Sequence, residues 1–382
     1  MSNVPKLRFK EFDGEWEEKK LLNISQIYDG THQTPKYLEE GVPFVSVENI
    51  KNIIGTNKYI SKEAFEKEYK IKPQKDDILM TRITAGIIGD TAIIENNNAL
   101  AFYVSLALIR INNLIHVYFL NHYINSLYFK IELHKRIIHT AFPKKINLGD
   151  IGKCLIKLPQ KPEQEKIASF LTSVDTKIEQ LAKKEALLRE YKKGVMSKIF
   201  NQEIRFKDDE GREFPEWEEK KLGEIAKIYQ PKTISQTDLT EEGYDVYGAN
   251  GIIGKYSDYN HEFEQIAVTC RGNTCGTVNY TKPKSWITGN AMIINLDNSQ
   301  LVLKLFLYNQ LIHTDLNYLI TGSGQPQITG DIKNHKVNLP SIKEQTKIAN
   351  FLSSIDKKIE LTTKELNSTK EFKKALLQQI FV

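Results

Sequence analysis

Apolar positions along the chain fall into two patterns, and each occurs twice. In the first half, VPFVSVENI at 42–50, DDILMTRI at 76–83, DTAIIE at 90–95 and YVSLALIRI at 103–111 are short apolar or alternating runs bounded by turn formers, which predicts strands. LIHVYFLNHYINSLYFKIELHKRI at 114–137 then changes to helical spacing. The second half follows the same course with QIAVTCRG, TVNY and AMIINL, then LVLKLFLYNQLIHTDLNYLI at 301–320. Two α+β domains are predicted, each with its helix after its sheet. The aromatic stripe of Tyr118, Phe119, Tyr123, Tyr128 and Phe129 reads as core.

A second pattern is longer. EQEKIASFLTSVDTKIE at 163–179 returns almost unchanged as EQTKIANFLSSIDKKIE at 344–360. LPQKPEQEKIASF from Leu158 aligns with LPSIKEQTKIANF from Leu339, 181 positions later, and YKKGVMSKIF at 191–200 with FKKALLQQIF at 372–381 in the same frame. After each Leu-Pro, long helices are predicted. Ile167, Val174, Leu181, Leu188 and Val195 hold one heptad position of the first helix, and Leu171, Ile178 and Ile199 the other. The second helix has Ile348, Ile355 and Leu376 with Leu352, Ile359, Leu366 and Ile380. Polar residues interrupt both seams: Glu185 and Lys192 in the first, Thr362, Thr369 and Lys373 in the second. These are imperfect coiled-coil seams. The simplest burial of both stripes is an antiparallel pair of the two helices, a spacer between the domains; the competing expectation is that each lies on its own domain.

WEEKKL at 16–21 recurs at 217–222, an offset of 201, so each half has similar ends and a divergent middle. The expected divisions are a first domain over 1–157, a spacer helix over 158–200, a second domain over 201–338 and a second spacer helix over 339–382.

The divergent middles contain polar loops rich in Gly, Thr, Asn and Gln: DGTHQTPKY, TRITAGIIGD and TAFPKKIN in the first half, YGANGIIGKY, TCRGNTCGT and TGSGQPQIT in the second. Such loops offer N–H groups to phosphates and amide or guanidinium forks to base edges, although Gly and Asn are also ordinary turn residues.

Composition narrows the function. The 382 residues are 26% charged and carry a net charge of +5, an excess compatible with a nucleic-acid partner. No apolar run approaches a membrane span, and the opening MSNVPKLRFKEFDGEWEEKK has no apolar core of a secretory signal, so a cytoplasmic location without membrane contact is expected. Three cysteines, Cys154, Cys270 and Cys275, argue against a disulfide framework, and no metal site is expected because no second Cys or His pair accompanies Cys270 and Cys275. There is no Pro-Pro dipeptide for an amino-methyltransferase tetrapeptide, no P-loop, no HExxH and no GxSxG. Catalysis by this chain is not expected.

The layout resembles the specificity subunits of type I restriction-modification enzymes. The likeness rests on PxLRFKxF, echoed by IRFKDDEGREFPEWEEKKLGEI, on DGTHQTPKY, DDILMTRI, YGANGIIG and GSGQPQIT, and on LPxxxEQxKIAxFLxSxDxKIE found twice. It implies two target-recognition domains, separated by two long antiparallel coiled-coil helices in a pseudo-twofold internal repeat, that read the halves of a split, asymmetric sequence in double-stranded DNA. Two methyltransferase subunits would dock on the helices, and restriction (motor) subunits would join them. S-adenosylmethionine, ATP and Mg are expected on those partners, with no cofactor in this chain. Carried onto this sequence, the DNA-binding candidates are His32, Gln33, Thr34, Arg82, Thr84, Lys144 and Lys145 in the first domain, and Asn250, Arg271, Asn273, Gln325 and Gln327 in the second. Ile167, Leu171, Val174, Ile178, Ile348, Leu352, Ile355 and Ile359 are the expected partner-binding helix positions. The reading from another class is a coiled-coil scaffold whose two domains bind protein.

Overall fold

A computed structural model describes residues 3–249, 251–322 and 324–382. The chain divides into two compact units: unit 1 comprises Met1–Ala182 with Lys364–Val382, and unit 2 comprises Lys183–Thr363. The long helices are therefore not separate bodies, because each begins in the core of one unit and ends in the other.

In unit 1 the strands are β1 (Glu17–Lys20), β2 (Ser25–Asp29), β3 (Val42–Val45), β4 (Tyr59–Ile60), β5 (Ile78–Thr81), β6 (Ile83–Thr84), β7 (Thr91–Ile93), β8 (Ala101–Phe102), β9 (Leu106–Ile111), β10 (Lys144–Lys145) and β11 (Leu155–Leu158). A four-stranded antiparallel sheet runs β2-β9-β5-β7, and a three-stranded one runs β4-β3-β8 with β3 and β8 parallel. The helices are α1 (Lys62–Glu68), α2 (Val117–Ile124), α3 (Leu127–His134), α4 (Leu148–Gly152) and α5 (Lys161–Phe200). The helical run expected over 114–137 is thus two helices. Ser126 divides them, since its hydroxyl accepts from the Phe129 N–H and caps α3.

Unit 2 contains β12 (Glu218–Lys221), α6 (Leu222–Ile225), β13 (Lys227–Tyr229), β14 (Tyr244–Gly248), β15 (Gly251–Tyr256), β16 (Ile266–Thr269), β17 (Val278–Tyr280), β18 (Trp286–Ile287), β19 (Ala291–Asn295), α7 (Lys304–His313), β20 (Ile320–Thr321), β21 (Gln327–Ile328), β22 (Lys336–Leu339) and α8 (Ile342–Ile380). Its sheets run β13-β19-β16-β17 and β15-β14-β18, again with one parallel pair, β14 with β18. The topology repeats although the middles share little sequence. YGANGIIGKY, read as a loop, is the hairpin of β14 and β15, and its glycines and non-alternating Ile252-Ile253 hid the strands. Among the described residues, α1 has no counterpart in unit 2, which helps to explain the greater length of the first middle.

The repeated ends of each half build one junction, made twice. WEEKK pairs with the strand before Leu-Pro: β1 with β11 in unit 1 and β12 with β22 in unit 2. In unit 1 the buried Glu163 carboxylate accepts a fork from Arg8, at 2.8 Å from Nε and 2.7 Å from Nη2, and the Trp16 indole N–H at 3.3 Å. Glu344 in unit 2 accepts from Arg205 at 3.2 and 2.8 Å and from Trp217 at 3.2 Å. The next residue is a second tie. Gln164 donates to the Leu114 and Pro159 carbonyls and accepts from His116 N–H, while Gln345 donates to Leu301 and Pro340 and accepts from Leu303 N–H. Buried side chains so satisfied by forked, charge-assisted bonds hold one geometry.

Both packing expectations for the long helices hold, each in part. Within unit 1, Ile167, Leu171 and Val174 of α5 share a core with Leu376 and Ile380 of α8. Within unit 2, Ile348, Leu352, Ile355 and Ile359 of α8 share a core with Met196 and Ile199 of α5. Three of the five polar interruptions bond across the antiparallel helices: Lys373 with Asp175 in unit 1, and Lys192 with Asp356 at 2.6 Å and Glu185 with Thr363 at 2.9 Å in unit 2, while the Thr362 and Thr369 hydroxyls donate to the Lys358 and Glu365 carbonyls of their own helix. The repeat offset of 181 carries Asp175 onto Asp356 and Lys192 onto Lys373, so the same ion pair is written once into each unit.

Candidate nucleic-acid interface

In unit 1 the three polar loops meet at one sheet edge. Register places Lys144 opposite Thr84 and Lys145 opposite Ile83, joining TAFPKKIN to TRITAGIIGD. Asp29, at the end of β2, joins DGTHQTPKY to them: one carboxylate oxygen lies 2.8 Å from Arg82 Nη2 and the other 2.8 Å from His32 Nε2. Gly30 makes this approach possible. A Cβ there would stand 2.5 Å from the Tyr103 carbonyl, so only glycine lets the backbone lie against β8 and the residues after it.

The candidates of unit 1 separate by exposure. His32, Gln33, Thr34, Lys144 and Lys145 are exposed. Neither lysine makes a salt bridge among the described residues. Arg82 and Thr84 turn inward. The Arg82 guanidinium also donates to the Ile146 carbonyl at 3.3 Å, its Nε has no partner among the described residues, and the Thr84 hydroxyl accepts from Gly86 N–H at 2.9 Å. As placed, Arg82 ties the loops together and Thr84 shapes the turn of its own loop.

Unit 2 gathers its loops by the same construction. The Thr269 hydroxyl donates to the Ala249 carbonyl, and Arg271 bridges to Gln327 in a local antiparallel ladder. Gly272 N–H donates to the Pro326 carbonyl and Ile328 N–H to the Cys270 carbonyl, both at 3.0 Å. Arg271, Asn273, Gln325 and Gln327 are all exposed on this ladder, and Arg271 makes no salt bridge among the described residues. Asn250 lies outside the described residues.

The two arginines that read alike in sequence are not equivalent. The residue after β5 is Arg82 and the residue after β16 is Cys270; both are buried, and their carbonyls accept from Ile146 and Ile328 in the same way. Arg271 stands one position further along, where unit 1 has Ile83. One step along an extended chain reverses the side chain's face.

The eight seam residues expected to meet partners are consumed by the cores: all are buried except Ile178, which is half-buried and packed on the unit 1 core. An apolar stripe at heptad spacing reports burial without saying against what, and here it is the chain's own domains. The exposed apolar positions of the helices include Tyr191 and Phe372, which the repeat offset relates. Sequence reading also passed over the exposed Phe142 and Ile87, although an apolar residue beside the turn formers of a polar loop was the available signal.

Two units of one topology, each presenting a polar, cation-bearing loop edge and each packing stretches of α5 and α8 into its own core, define a two-domain recognition protein. Residues 13–189 and 215–371 each match the type I restriction modification DNA specificity domain, and the chain belongs to that family. It is a specificity subunit of the type I restriction-modification class. A Methanocaldococcus jannaschii protein provisionally named the MjaX specificity subunit of a type I restriction enzyme is 28% identical over 98% of this chain and 95% of its own length. The Escherichia coli EcoprrI specificity subunit is 29% identical over 41% of this chain and 39% of its own. Among solved structures, the S subunit of a type I restriction-modification system from M. genitalium superposes over 99% of both chains, with a TM-score of 0.69 at 18% identity. A chain from a structure of type I R-M complex assembly and conformational transition covers 95% of this chain and 96% of its own, with a TM-score of 0.54 at 16% identity. No helix of the described residues is long and apolar enough to cross a membrane.

Proposed function

We propose that each unit reads one half of a split DNA target through its gathered loop edge, and that the chain itself performs no chemistry. Lys144 and Lys145 serve phosphates in the first half-site. Arg271, Asn273, Gln325 and Gln327 offer the forked donors and amides that distinguish guanine and adenine edges in the second. The observation that carries this reading is the exposed Arg271, without a salt bridge among the described residues and bridged through its backbone to Gln327, set on a topology that unit 1 repeats with different loop chemistry.

Two methyltransferase subunits would dock on α5 and α8 through repeat-related surfaces that include Tyr191 and Phe372. They would supply S-adenosylmethionine chemistry on adenine, with base flipping as their task. Restriction subunits would add ATP- and Mg-dependent cleavage. The test is a map of adenine methylation in a host carrying this chain and its modification partner, beside a host lacking only this chain. One split motif should vanish with the chain, and exchange of residues 201–338 should change only one half of it. Identical maps, with the chain expressed, would overturn the reading in favour of a protein-binding scaffold.

A further inference from the structure

Phe142 is 94% exposed and Ile87 is 61% exposed, at the tips of two loops that the β6–β10 pairing holds side by side. Lys144 opposite Thr84 is the last pair of that short ladder; Phe142 stands two residues beyond it on one strand, and Ile87 three residues beyond it on the other. An aromatic ring left almost wholly in water, on a loop just past a short ladder, has no part in the unit's core. Only Pro143 separates it from Lys144 and Lys145, both exposed and without salt bridges among the described residues. Lysines deliver such a tip to a polyanion, and a flat apolar ring on a polyanion finds its apolar surface in the faces of stacked bases. Unit 2 has Gly324 at the equivalent place, so the device belongs to one half-site.

We infer that Phe142, with Ile87 exposed on the adjoining loop, is an apolar wedge that enters the base stack at the half-site read by unit 1 and unstacks one step there. This rests on the DNA-recognition reading above and adds to it a deformation that makes the sequence of that step matter without a hydrogen bond to it.

The test uses the chain assembled with its modification subunits and duplexes carrying the methylation-mapped motif, with 2-aminopurine placed in turn along the first half-site. The intact complex should raise fluorescence at a step distinct from the methylated adenine. Phe142→Ala should abolish that signal and weaken binding about five- to 150-fold, the range of one base–aromatic stack. Phe142→Trp should restore both. The second half-site should be unaffected, and so should the urea midpoint of the chain, because the ring makes no core contact. Wild-type affinity and fluorescence in Phe142→Ala, with the motif still discriminated from a scrambled duplex, would sink the wedge and leave the recognition reading standing. Failure of the intact complex to discriminate the motif would sink both. Loss of the modification subunit from Phe142→Ala on gel filtration would make the tip a protein contact, which also overturns the wedge.

Discussion

Replacing Arg82 and Arg271 by alanine, one at a time, tests the central structural claim about the interface: one guanidinium is built into the fold and the other is free for DNA. The Arg82 side chain is 8% exposed and bonds Asp29 at 2.8 Å, with a longer contact to the Ile146 carbonyl at 3.3 Å. A hydrogen bond to a charged group contributes about 1.5–3 kcal/mol, and the half-exposed Asp29 carboxylate recovers part of that from water, so Arg82→Ala should cost about 2 kcal/mol of stability. Arg271 has no salt bridge among the described residues, and Arg271→Ala should stay within about 0.5 kcal/mol of the parent. On DNA the order reverses. Loss of a forked contact to guanine costs about 1–3 kcal/mol, or roughly five- to 150-fold in affinity, and relaxes specificity at one position. Urea unfolding followed by tryptophan fluorescence gives the first quantity, and anisotropy titrations of the assembled complex on the mapped duplex give the second. An Arg82→Ala chain with parental stability but weakened DNA binding would refute the inward assignment. A destabilised Arg271→Ala chain would refute the outward one.

Glu344→Ala removes a carboxylate with no solvent exposure from beneath Arg205 and Trp217 and should cost about 3 kcal/mol, less than a fully buried pair because Arg205 still reaches water; a urea midpoint unchanged from the parent would remove the junction's assigned role. Acid should destabilise the chain through His122. Burial, with Lys373 adding to it and Asp175 opposing, lowers its pKa from 6.5 to about 4, so between those values the unfolded chain binds the extra proton and stability falls as the pH drops, by about 3 kcal/mol at most. His122→Gln should flatten that slope in urea melts between pH 7 and pH 4.5, and an unaltered slope would contradict the argument. Gly30→Ala should cost about 1–3 kcal/mol, because the new Cβ meets backbone that has nowhere to move; a parental melt would show that the loop relaxes freely. Tyr191→Ala with Phe372→Ala should leave the melt within about 0.5 kcal/mol and reduce co-purification of the modification subunit, whereas full retention would place that contact elsewhere on the helices.

The sequence by itself determined the repeat, the two long helices, three of the four strands in each unit's four-stranded sheet and the family, because these are written in local periodicity and in motifs long enough to be unmistakable. It also marked all six loops except for the hairpin strands concealed within YGANGIIGKY. Contacts between residues far apart in the chain were left to tertiary structure. Arg8 meets Glu163 across 155 positions, and Lys373 meets Asp175 across 198, distances over which periodicity carries no information. Only the fold reveals that three of the polar breaks in the helix seams, Glu185, Lys192 and Lys373, find partners on the opposite helix, or that the heptad residues face the chain's own cores. The sharpest case is the pair of arginines. Loop composition marked Arg82 and Arg271 alike, yet a one-residue difference in where each follows its strand sends one guanidinium to Asp29 and the other to solvent, since side chains on extended backbone alternate faces and only register against a neighbour says which face is inside.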